Sequence, residues 1–123
     1  KEAGLWYKDH TVEGKKMLIA NTSFPVYYTG LGMEYFMKRS WIESTTFEDF
    51  IKELKAKGVM YVYVDDFYLK RYALGDKNST DKNKKTWLFI EVHKRAEKGE
   101  YFELLKRIEP TEDIRGYIYR LKE

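Results

Sequence analysis

Along the stretch Thr45 to Asp66, TTFEDFIKELKAKGVMYVYVDD, the hydrophobic pattern changes period once. Phe47, Phe50, Ile51 and Leu54 recur at helical spacing, which gives a helix one apolar face. Thr45 or Thr46 can cap its start, because either hydroxyl can accept from an orphan N–H of the first turn. Glu48 and Asp49 follow at capping-box distance. These carboxylates also suit the positive end of the helix dipole, as Lys55 and Lys57 suit the other. Gly58 stands where a left-handed residue closes a helix. Val59 to Val64 is then a run of β-branched and aromatic residues that fits a strand covered on both faces. A helix joined so closely to a strand is half of a βαβ unit.

The flanking pattern extends this alternation. Glu2 to His10 predicts a short helix with Ala3, Trp6, Tyr7 and His10 on one face, and Trp6 reads as packing against a sheet. Lys16 to Asn21 predicts a first strand. Asn21 to Gly32 predicts a loop with a turn at Pro25. Glu34 to Ile42 predicts a second strand with imperfect alternation. Phe67 to Leu74 suggests a short amphipathic helix, and Gly75 to Lys85, without an apolar anchor, a mobile polar loop. Trp87 to Lys98 predicts a helix. Tyr101 to Ile108 fits helix or strand equally, and Ile114 to Leu121 alternates as a terminal strand. The fold class is therefore α/β: a small three-layer, Rossmann-like domain with Lys16–Asn21 and Val59–Val64 as parallel central strands. A C-terminal antiparallel hairpin completes the sheet.

Composition narrows the picture. With 123 residues and 43% hydrophobic content, the chain suits one domain with one core. Aromatic residues reach 17%, including eleven Tyr. The 23 basic and 20 acidic residues are interspersed, so a net charge of +3 creates no field for nucleic acid. Absence of cysteine removes disulfides, thiolate nucleophiles and Cys-based zinc sites. No apolar run reaches the length of about 18 residues that spans a bilayer. The chain opens at Lys1 rather than Met, which suggests a piece of a longer protein.

Candidate chemistry is sparse. Asp65 and Asp66 close the central strand, at the sheet edge where open α/β folds bind ligands. A carboxylate pair can hold a cation or act as acid and base; alternatively, Asp66 caps the following helix and Asp65 faces solvent. His10 and His93 are the only histidines and make a weak metal signal, and no metal or other cofactor is expected. There is no G-x-S-x-G elbow, dinucleotide-binding glycine motif or phosphate loop. Asn21-Thr22-Ser23 and Asn78-Ser79-Thr80 match the N-glycosylation pattern. Tyr27 and Tyr28 can stack on a sugar or anchor a turn in the core. If the two central strands are parallel neighbours, Asn21, Tyr27, Tyr28, Asp65 and Asp66 converge on one edge as a ligand-binding set.

Three motifs carry a family resemblance: W-x-K-x-x-T at Trp6 to Thr11, Y-Y-T-G at Tyr27 to Gly30, and G-V-x-Y-V-x-V-D at Gly58 to Asp65. With YFELLKRIEP and IRGYIYRLK near the end, the chain resembles the C-terminal extracytoplasmic domain of integral-membrane glycosyltransferases of GT-C architecture. These include dolichyl-phosphate-mannose–protein mannosyltransferases and lipid A aminoarabinose transferases. The resemblance covers Glu2 to Lys122. It implies a small α/β domain outside the membrane, tethered by a transmembrane region absent from this chain, and makes YFELLKRIEP a strand pairing with the last one. It implies a non-catalytic accessory role, with the domain's own transmembrane helical region and a lipid-linked sugar or acceptor as partners. The family's catalytic acid lies between membrane helices, so no catalytic residue carries over. The insert Gly75 to Lys85 and the high lysine content imply a divergent member. The competing class is a free-standing Rossmann-like binding module or enzyme that uses Asp65 and Asp66; the missing phosphate-binding glycine loop argues against it.

Overall fold

The computed structural model describes residues 2–19, 30–65, 85–108 and 116–123. Helix α1 (Glu2–His10) leads to strand β1 (Lys16–Ile19), and two 3-10 turns flank a short β2 (Phe36–Lys38). Helix α2 (Phe47–Ala56), β3 (Val59–Asp65), α3 (Thr86–Glu97), β4 (Phe102–Ile108) and β5 (Gly116–Leu121) follow.

The α2–β3 unit forms for local reasons. The Thr46 hydroxyl accepts from the Asp49 N–H at 3.2 Å, closing the first turn. Gly58 takes φ +75°, so the chain reverses where a side chain would be strained. Phe47, Phe50, Ile51 and Leu54 are all buried, as their spacing predicts.

The five strands form one mixed sheet in the order β2-β1-β3-β5-β4. β1 is parallel to both β2 and β3, whereas β5 is antiparallel to β3 and β4. The expected parallel pair of β1 and β3 and the antiparallel pair at the end of the chain are both present. β5 is nevertheless an interior strand, and both its faces are buried: Tyr117, Tyr119 and Leu121 on one, Ile118 on the other.

Two apolar clusters cover the sheet. One joins α2 and α3 through Phe50, Leu54, Leu88, Phe89 and Val92 to Leu18, Val62, Val64 and Phe102. The other joins Tyr7 of α1 to Met17, Ile19, Phe36, Tyr61 and Ile118. Helices thus lie on both faces, and Trp6, half-buried against the α1 cluster, packs as expected.

The second strand is shorter than the pattern suggests. Glu34 to Ile42 yields only Phe36–Lys38, because 3-10 turns consume both ends. The Tyr35 N–H bonds to Gly32 and the Ile42 N–H to Arg39, which takes those residues out of the ladder. The helix expected at 67–74, most of the polar segment 75–85 and both glycosylation triplets lie outside the described residues.

Candidate functional site

The sheet topology defines one candidate edge for a ligand. The chain moves from β1 outward to β2, then crosses β1 to reach β3. Progress along the sheet therefore reverses between β1 and β3, and their carboxyl ends open onto the same edge. Open α/β sheets bind ligands at such a reversal, because the connections leave in opposite directions and part there.

Of the residues expected at this edge, Asp65 is placed as the last residue of β3, in register with Gly116 of β5. Asn21, Tyr27, Tyr28 and Asp66 lie outside the described residues. Two residues not singled out in the sequence join Asp65. The Tyr63 ring lies across Gly116, where an added Cβ would come within 2.5 Å of the phenol oxygen. Tyr61 and Tyr63 both belong to the cluster on the α1 face, as period-2 alternation requires. That alternation was the available signal for Tyr63; the role of Gly116 depends on cross-strand register.

The α1 face behind this edge is an aromatic assembly. The Tyr7 hydroxyl donates to the Tyr35 carbonyl at 2.6 Å, and the Tyr61 hydroxyl donates to the His10 carbonyl at 3.2 Å. Trp6 stacks on His10 at 3.9 Å and meets Tyr61 edge-on at 5.3 Å. Burial pushes the Tyr7 phenol well above its usual range, and Tyr61 and Tyr35 push it further. Burial likewise raises Tyr61. Both phenols therefore stay neutral donors around neutral pH and tie α1 to a 3-10 turn and to β3 rather than exchange protons.

The histidines do not cooperate. His10 belongs to α1 and His93 to α3, on opposite faces of the sheet. The His10 Nδ1 pairs with the Trp6 carbonyl at 2.6 Å. The His93 Nδ1 meets the Tyr119 hydroxyl, and its Nε2 meets Glu97 at 3.0 Å. The first contact ties α3 to β5, and the second lies within α3. Among the described residues, no serine bonds to either ring, and no three His, Asp or Glu side chains are grouped to hold a metal ion.

Among the described residues, Glu53 is the most strongly perturbed carboxylate. Burial opposes its ionisation, but hydrogen bonds from Lys57, the Ser44 hydroxyl and the N–H groups of Glu43 and Ser44 outweigh it. The carboxyl is held down at about 2. The Lys57 Nζ lies 2.6 Å from Glu53 and its pKa is raised by that bond. This knot fastens the 43–44 turn to α2, away from the predicted edge. A cleft of about 730 Å³ opens at the opposite end of the sheet, between the start of β3 and the end of β5, bordered by Lys15, Lys55, Arg120 and Lys122.

Among the described residues, no helix is long and apolar enough to cross a membrane. Comparison with protein-family models, curated proteins and solved structures finds no match.

Proposed function

We propose that this chain is a non-catalytic, extracytoplasmic accessory domain of an integral-membrane glycosyltransferase that uses a lipid-linked sugar donor. In this reading a transmembrane region of the same protein tethers it and is its principal partner. The observation that supports the reading is the pairing of β4 with β5 beside a parallel β2-β1-β3 unit. The family resemblance requires YFELLKRIEP to be a strand against the last strand. We read the parallel half as Rossmann-like, with its binding edge at the carboxyl ends of β1 and β3.

At that edge a sugar or polyprenyl-phosphate headgroup meets Asp65 and the Tyr63 phenol, with Asn21, Tyr27 and Tyr28 following β1 and Asp66 following β3 in the sequence. Aromatic rings suit sugar faces, and peptide N–H groups suit phosphate oxygens. Transfer chemistry itself is assigned to the membrane region, where the resembling family keeps its catalytic acid.

The position of Asp65 at the topological reversal also favours a second reading, a free-standing module or enzyme that uses Asp65 and Asp66. A transfer assay separates the two. The purified chain, given a polyprenyl-phosphate sugar and a peptide or lipid acceptor, is expected to show no turnover. Turnover that disappears in Asp65→Asn or Asp66→Asn would replace the accessory reading by the enzymatic one.

A further inference from the structure

β4 lies at the end of the sheet, and among the described strands only β5 pairs with it. An edge strand presents unpaired N–H and C=O groups, and proteins usually blunt such edges with charge or proline. β4 carries charge at Glu103, Lys106 and Arg107, but between them it presents Leu104 and Leu105, 44% and 37% exposed.

The ladder with β5 slips by one residue at this point. Glu103 faces Arg120, Leu104 faces Tyr119, and Lys106 faces Ile118, so Leu105 is the extra residue of a bulge. Arg120 and Ile118 are two apart on β5 and share a face. Glu103 and Lys106, three apart on β4, therefore share a face as well. In an unbroken strand they would point to opposite faces.

We propose that β4 pairs antiparallel with β4 of a second copy of this chain about a two-fold axis between Leu104 and Leu105. In that register Leu104 faces the second copy's Leu105, and Glu103 faces its Lys106, twice by symmetry. The axis is perpendicular to the sheet and keeps each side chain on its own face, so the bulge is what lets the charges meet. A parallel, in-register pairing sets Glu103 against Glu103 and Lys106 against Lys106, which is unfavourable. Lys106 has no acidic partner among the described residues, so a carboxylate opposite it is a new contact. Glu103, bonded to Arg120 at 3.0 Å, is held on the strand ready for it. The interface is one strand wide, at the low end of interface size, so the dimer forms with increasing concentration.

Sedimentation equilibrium tests this with four samples: the unmodified chain, Glu103→Lys, Lys106→Glu, and the two variants mixed in equal amounts. The mass of the unmodified chain is expected to rise with concentration from 14.8 kDa towards twice that value. Each variant alone sets like charges across the axis and is expected to stay at the monomer mass. Mixed, the variants restore opposite charges at both contacts and are expected to dimerise. Lys106→Glu disturbs no described ion pair, so it remains informative even if Glu103→Lys loosens the contact with Arg120. A monomeric unmodified chain at every concentration, undiminished dimerisation of Lys106→Glu, or a folded mixture that stays monomeric would overturn the proposal.

Discussion

The Tyr63 phenol occupies the space that a side chain at Gly116 would need: a Cβ there would stand 2.5 Å from its oxygen. The two residues lie on adjacent antiparallel strands, with Gly116 in register with Asp65 at the carboxyl end of β3. The absence of a side chain at position 116 therefore sets where an aromatic hydroxyl sits at the proposed binding edge.

Gly116→Ala should push the Tyr63 ring aside and destabilise the fold by about 1 kcal/mol, since the displaced group is the far end of a side chain rather than backbone. In a Tyr63→Ala background the clash is gone. The same change should then be neutral or stabilising by a few tenths of a kcal/mol, through a less flexible unfolded chain. Denaturant titration of the four proteins measures the coupling. Equal effects in both backgrounds would show that the two residues do not compete for space.

Phe50 and Val62 are fully buried on either side of the α2–β3 interface. Phe50→Ala and Val62→Ala should each cost about 1–4 kcal/mol through lost burial and a residual cavity. Chemical denaturation with a loss below about 0.5 kcal/mol would show that the site is not core.

How much was legible in the sequence follows from how local each determinant is. The cap at Thr46, the stop at Gly58 and the run Val59 to Val64 act within a few residues, and they appear as expected. β4 was ambiguous for a physical reason. Phe102 joins the cluster under α2 and α3, but Ile108, an even number of residues later, joins the cluster under α1. The bulge at Leu105 inverts the phase between them, so neither period fits the whole segment. β2 was overextended because backbone bonds in the 3-10 turns, invisible to a side-chain pattern, end it early. At the site, Asp65 was found from its place after a buried run, whereas Tyr63 and Gly116 are linked only by strand register.

Glu53 gives the fold a defined acid dependence. Its folded value of about 2 lies below the ordinary 4.5, so its contribution is fully present above pH 4.5 and is lost as pH falls towards 2. With the side chain only 10% exposed, the full contribution is of order 3 kcal/mol. Glu53→Gln should therefore be less stable than the parent at pH 6, and the difference should shrink steadily between pH 4.5 and pH 2. Parallel denaturation curves across that range check it. A difference independent of pH would mean that the ionised carboxylate is not what fastens residues 43–44 to α2.

The carboxyl edge of β1 and β3 is tested most directly by titrating the isotopically labelled chain with a short-chain, water-soluble polyprenyl-phosphate sugar and recording amide shifts by NMR. Binding at the proposed edge should move the Tyr63, Asp65 and Gly116 signals together and leave those of Glu53 on α2 and Lys57 at its end in place. No shifts at millimolar ligand, or shifts confined to other surfaces, would contradict a headgroup site at this edge.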